Sequence, residues 1–193
     1  MRRTVWTAAM VGVLLSAAAC GPDEQAPGAT PEGGGHDKRA YLTVTYDLSG
    51  GTTLKGTTEA TAYVEGEFSL DSCTDYAKGG TKDGAGIFTL PYREKSQIEG
   101  KTVHLQANVA PYTGPGTYQG NKPLVGVMGS EPGLFIDSEG YTVGFEKEGA
   151  TSTLTVNPDG SGSWKFTRML PNSYALKPIN GTITWTCAVR DID

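Results

Sequence analysis

The chain has 193 residues, a formal net charge of −5, three cysteines and 27 glycines. That length suits a single domain able to bury a real core. The acidic, unclustered charge excludes electrostatic docking on nucleic acid or on anionic lipid.

The first residues carry an address. Met1-Arg2-Arg3 is followed by the apolar run Ala8 to Leu15 and the small residues Ser16-Ala17-Ala18-Ala19, which end at Cys20. A positive start, a short apolar stretch and small residues before the cut describe a secretory signal peptide over residues 1–19. The apolar part is shorter than the roughly 20 residues needed to span a bilayer. Small residues before a cysteine, with Gly21 after it, resemble a bacterial lipoprotein signal, and Ala17 stands where Leu is usual. That resemblance implies cleavage before Cys20 and lipidation of its sulfur. It also implies a location on the extracytoplasmic face of the cell membrane, with the membrane as a partner through the N-terminal lipid. Arg2-Arg3 also raises the twin-arginine export route. Loss of Arg2 and Arg3 with the signal takes the mature charge to about −7, so membrane association falls to the acyl chains, whose paired anchoring is stable.

Residues 20–39 read as a lipidated, disordered linker. Gly21 to Gly35 holds no large apolar side chain and has nothing to bury. A flexible coil of about 19 residues spans roughly 25 Å. His36-Asp37 in this stretch reads as solvated tether rather than as a metal site.

From residue 40 to 193 the pattern is strand and turn. Leu42, Val44 and Tyr46 alternate with Thr43 and Thr45, the period of a half-buried strand. The same period places Val103, Leu105, Ala107 and Val109 on one face and His104 on the other. It recurs at Ser152, Leu154 and Val156, at Trp164 and Phe166, and over Ile179, Gly181, Ile183, Trp185, Cys187 and Val189. Asn157-Pro158-Asp159-Gly160 between two such runs is a hairpin signal, and Ser138-Glu139-Gly140 divides Leu134-Phe135-Ile136 from Tyr141-Thr142-Val143. About eight to ten strands predict an all-β antiparallel sandwich, with a small β-barrel as the alternative.

With Cys20 assigned to lipid, Cys73 and Cys187 form an even pair in an exported domain, which predicts one buried structural disulfide. No metal or cofactor is expected. Catalytic motifs are weak. Gly160-Ser161-Gly162-Ser163 lacks the nucleophile-elbow spacing and reads as the far side of a hairpin. The pairs Asp71/Asp75 and Asp137/Glu139 read as turn residues, and the sequon Asn180-Gly181-Thr182 falls within a strand. Two loops are the binding candidates: Asp71 to Gly86, long and Gly-rich, with Tyr76, and Tyr112 to Tyr118, whose two rings either stack on a ligand or cap the core.

The last strand, Gly181-Thr182-Ile183-Thr184-Trp185-Thr186-Cys187, preceded by the turn Asp159-Gly160-Ser161-Gly162, is similar to the ending of exported actinobacterial lipoproteins, among them the mycobacterial lipoprotein antigens. This chain continues for six residues past that cysteine. The resemblance implies a cell-surface β-domain with one disulfide and no enzyme activity. The expected function is a non-catalytic surface binding module for a protein or a cell-wall glycan. A hydrolase or carbohydrate-active enzyme of unrecognised type, and an accessory subunit of a membrane complex, are the alternatives.

Overall fold

The computed structural model describes residues 38–64, 70–106, 108–119, 133–142 and 149–192. The signal region, Cys20, the linker as far as residue 37, Ala107 and Val143 lie outside the described residues.

Alternation of threonines with branched or aromatic residues makes β1 (Lys38–Gly50) and β2 (Leu54–Thr61) a long hairpin. The domain therefore begins earlier than residue 40: Lys38 and Arg39, expected in the linker, pair with Asp191 and Arg190. The chain then forms α1 (Cys73–Lys78), β3 (Gly80–Lys82) and β4 (Ala85–Thr89). It continues through β5 (Arg93–Ile98), β6 (Lys101–Gln106), β7 (Asn108–Val109) and β8 (Gly116–Gln119). The rest comprises β9 (Gly133–Ile136), β10 (Glu139–Thr142), β11 (Thr151–Val156), β12 (Gly162–Pro171) and β13 (Ile179–Asp191).

Eight of these strands follow one another around a nearly closed barrel in the order β5, β6, β9, β10, β12, β13, β1, β2, every ladder antiparallel. The all-β antiparallel expectation holds, and the barrel form describes the main sheet. Chain order is kept around the ring, which makes this an up-and-down topology. The ring closes between β2 and β5 through side chains: Thr58 Oγ1 donates to Ser96 Oγ at 3.1 Å, and the Lys55 amide donates to Glu99 Oε2 at 3.1 Å.

The connections sort by end. Turns β1–β2, β5–β6, β9–β10 and β12–β13 lie at one end, called here the turn end. All the inserted elements, α1, β3, β4, β7, β8 and β11, arise from connections at the other, the cap end, where β1 starts and β13 finishes. β12 serves both ends. Its first half pairs β11, its last residues pair β10, and a register shift between Phe166 and Met169, with Arg168 at φ 52°, turns the strand from one neighbour to the other.

One hydrophobic cluster fills the domain. Leu42, Leu48, Leu54, Leu105, Tyr141, Trp164 and Phe166 are among its fully buried side chains. The faces expected for β1, β11, β12 and the first half of β13 are the faces that are buried. Trp164 Nε1 reaches Ser152 Oγ at 2.8 Å, so its one polar atom is satisfied within the core.

Candidate functional site

The two loops weighed as binding candidates build the cap. Asp71 to Gly86 is not an open loop. Ser72 Oγ accepts from the Asp75 amide at 3.1 Å and caps α1, and the β3–β4 hairpin follows. A side-chain acceptor at this position satisfies an amide that a helix start leaves orphaned. Asp75 is held by Ser72 Oγ at 2.6 Å and by Lys78 Nζ at 2.7 Å. The hydrogen bonds from Lys78, then from Ser72, keep its carboxyl below the usual range.

Tyr76 is fully buried, and its hydroxyl donates to Thr89 O at 2.9 Å. Its expected role as a binding residue is therefore corrected: it offers no surface to a ligand. Burial, with a smaller contribution from Tyr112, pushes its phenol far above the ordinary value. Tyr112 is also buried, donates to Ala77 O, and is raised by desolvation and then by Tyr118. Tyr118 is half-buried: its ring lies 5.2 Å from that of Tyr112, and its hydroxyl donates to Gly114 O and accepts from the Thr113 amide at 3.1 Å. The core-capping role weighed for Tyr112 and Tyr118 is the one their geometry serves.

Phe88 sits at the centre of this cap. Its ring centroid is 5.0 Å from Tyr76, 5.1 Å from Tyr112 and 6.2 Å from Trp185. Trp185 Nε1 donates to Gly160 O at 2.9 Å, which ties the β11–β12 turn to the core. Gly160 has φ 78°, and a Cβ there would stand 2.5 Å from Cys73 O, so turn and helix approach backbone to backbone. Cys73 and Cys187 are bonded with their Cα atoms 5.7 Å apart, pinning α1 to β13. Both half-cystines are half-buried, less enclosed than expected, because β13 rises out of the core beyond Trp185.

The remaining chemical candidates have structural work. Asp159 Oδ1 accepts from the Ser161 amide at 2.9 Å and from Ser161 Oγ at 2.6 Å, so Gly160 and Ser161 finish the turn while Gly162 and Ser163 begin β12, the far side of the hairpin as expected. Asp137 Oδ1 accepts from the Thr102 amide at 3.0 Å, and Glu139 Oε1 from the Ser173 amide at 2.7 Å. Asn180 Oδ1 accepts from the Arg168 amide at 2.9 Å. Among the described residues no group of three His, Cys, Asp or Glu side chains converges as metal ligands.

A surface that the sequence reading missed lies on the outer wall of the barrel. His104 points outward from β6, as the alternation with Val103 and Leu105 requires. It meets Phe135, its register partner on β9, with ring centroids 5.6 Å apart and nearly parallel planes. On its other side Tyr92, just before β5, stands edge-on at 5.7 Å. Tyr63, just after β2, continues the row at 5.9 Å from Tyr92. The four rings are half-buried and cross the β2–β5 seam. His104 was legible as outward-facing. The other three rings of the row come from three other segments, and only the seam and the β6–β9 register bring them together.

No protein-family model, curated protein or solved structure matches the chain.

Proposed function

We propose that this chain is an exported lipoprotein, anchored through Cys20 on the extracytoplasmic face of the membrane, whose β-barrel is a non-catalytic binding module. The observation that carries this reading is the Cys73–Cys187 bond. A disulfide between segments distant in the chain belongs to an oxidising compartment. Its formation uses two of the three cysteines and leaves Cys20, at the end of the apolar leader, for lipid.

Two further features support it. The interior is filled by Leu42, Leu48, Leu54, Tyr141 and Trp164, so recognition falls to the outer surface. β1 starts at the cap end, so a tether preceding Lys38 joins the domain there, at the end opposite the turn end.

Replacing Cys20 with Ser and fractionating the native host tests the anchor. The expected result is release of the folded domain to the medium, whereas retention of the Cys20→Ser protein in the membrane fraction would remove the claim.

A further inference from the structure

We propose that the open edge of β13, from Cys187 to Asp191, pairs antiparallel with the same edge of a second copy of this chain.

The backbone fixes which groups are free. β12 follows β13 only as far as the pair Gly162–Trp185, whereas β1 accompanies it to Asp191. Beyond Trp185, β13 therefore has a strand on one side and, among the described residues, none on the other. In an antiparallel pair, residues alternate between exchanging hydrogen bonds with the partner and turning those groups away from it. Ala40 turns both groups away from β13: its amide donates to Leu70 O at 2.7 Å and its carbonyl accepts from the Ala62 amide at 3.0 Å. Its register partner Val189 consequently turns its own groups away from β1. By the same alternation the N–H and C=O of Cys187, Val189 and Asp191 all point to the open side.

Nothing in this stretch blunts the edge. Exposed strand edges are ordinarily protected by proline, by a bulge or by charges standing over them. Cys187-Ala188-Val189-Arg190-Asp191 contains no proline, and its register with β1 runs without a shift. Arg190 is drawn the other way, across Tyr41 at 5.1 Å to Glu59 Oε1 on β2 at 2.7 Å. Val189, in the middle of the edge, is 44% exposed, one of three large apolar side chains so placed among the described residues.

The chemistry of the edge selects an extended polypeptide, since its donors and acceptors repeat as those of another strand do. Symmetry and register select a second copy. Two identical antiparallel edges close on a two-fold axis. Centring that axis on Val189 sets Val189 against its mate, Cys187 against Asp191 and Ala188 against Arg190, so every outward group is paired and no like charges are opposed. A centre on Arg190 would oppose two guanidinium groups. A centre on Ala188 would oppose Asp191 to Trp185, whose outward groups β12 already holds. The chain also enters the domain at Lys38, the register partner of Asp191, so both tethers leave from near the axis. An edge this short buries less than the roughly 800 Å² per partner of a stable interface. The proposed anchor, on which this one step rests, offsets that by holding both copies at a raised effective concentration.

The test traps the pair in the full chain as the host exports it. Val189→Cys places two thiols across the axis, where a hydrogen-bonded pair holds its Cα atoms about 5.5 Å apart, within the roughly 4.4–6.8 Å that a disulfide spans. Non-reducing electrophoresis should show a dimer that reduction dissolves. Ala175→Cys, at an exposed site of the turn end, should stay monomeric. Adding Asp191→Pro to Val189→Cys removes an N–H that faces the open side and takes no part in the β1 ladder. The trapped fraction should fall about tenfold, the scale of the two hydrogen bonds lost across the axis, with the thermal transition unchanged. Ala188→Pro, whose N–H faces β1, should instead lower the melting temperature. No dimer from Val189→Cys, an equal dimer from Ala175→Cys, or a dimer indifferent to Asp191→Pro would overturn the proposal. So would capture of a different polypeptide at Val189→Cys, which would assign the edge to a foreign strand. The same trap in Cys20→Ser protein at about millimolar concentration, the scale a short tether supplies, should again give the dimer, so failure of the anchor and failure of the pairing are read separately.

Discussion

The two ends of the barrel are held by different physics. At the turn end, amides in or beside the connections are satisfied by neighbouring carboxylates: Glu99 accepts from Lys55, Asp137 from Thr102 and Glu139 from Ser173. At the cap end the connections are long, and their order comes from buried rings around Phe88, from Trp185 and from one covalent bond. Local polar capping keeps a turn in place at a cost of a few atoms. An insertion of that length must bring its own core, because its backbone and side-chain entropy is far larger.

Removing the covalent bond should have the greatest effect. Cys73 and Cys187 are 114 residues apart, and on the chain-entropy view such a link contributes at most about 4.7 kcal/mol. The Cys73→Ala, Cys187→Ala double variant should lose several kcal/mol in denaturant unfolding, with amide exchange first accelerated in α1. A loss spread evenly over both ends would contradict the division. Next comes Tyr76→Phe, which keeps the ring and leaves Thr89 O without its donor. A buried acceptor stripped of its partner costs about 1–3 kcal/mol, read as a shifted midpoint at constant slope.

The turn end should respond more weakly and in a diagnostic order. Asp137 combines its bond to the Thr102 amide with φ 57°. Asp137→Ala should cost about 1–2 kcal/mol, because an alanine is strained in that conformation. Asp137→Gly should cost less, since it loses only the hydrogen bond. The reverse order would show that backbone strain is not what Asp137 accommodates.

The smallest effect is a pH dependence. The carboxyl of Asp75 is depressed when folded, through Lys78 and then Ser72. Its contribution is therefore fully present above the unfolded value, about 3.9, and is lost as pH falls through the folded one. Melting temperatures of the native protein and of Asp75→Asn should differ at neutral pH and converge in acid. A gap that persists at low pH would rule out the carboxylate as its source.

The same contrast explains what the sequence disclosed. Barrel strands were legible because alternation is local: Leu42 to Tyr46 and Ile179 to Trp185 show which face is buried without knowledge of their neighbours. The β11–β12 hairpin was legible because Asp159-Gly160 specifies its own turn. The cysteine pairing followed from counting. Cap and candidate site were harder, since each is assembled from segments far apart in the chain. Tyr76 sits in a Gly-rich stretch that looks like a loop, and only Phe88 and Tyr112 packing over it make it core. Tyr63, Tyr92 and Phe135 are unremarkable singly and become a row only once the seam aligns their strands.

The proposed oxidised, lipid-anchored state is tested most directly by the intact mass of the protein from the host membrane fraction, before and after reduction. That state predicts the mass of residues 20–193 plus a diacylglyceryl group, rising by two hydrogens on reduction. An unlipidated mass, or one that reduction leaves unchanged, would contradict it.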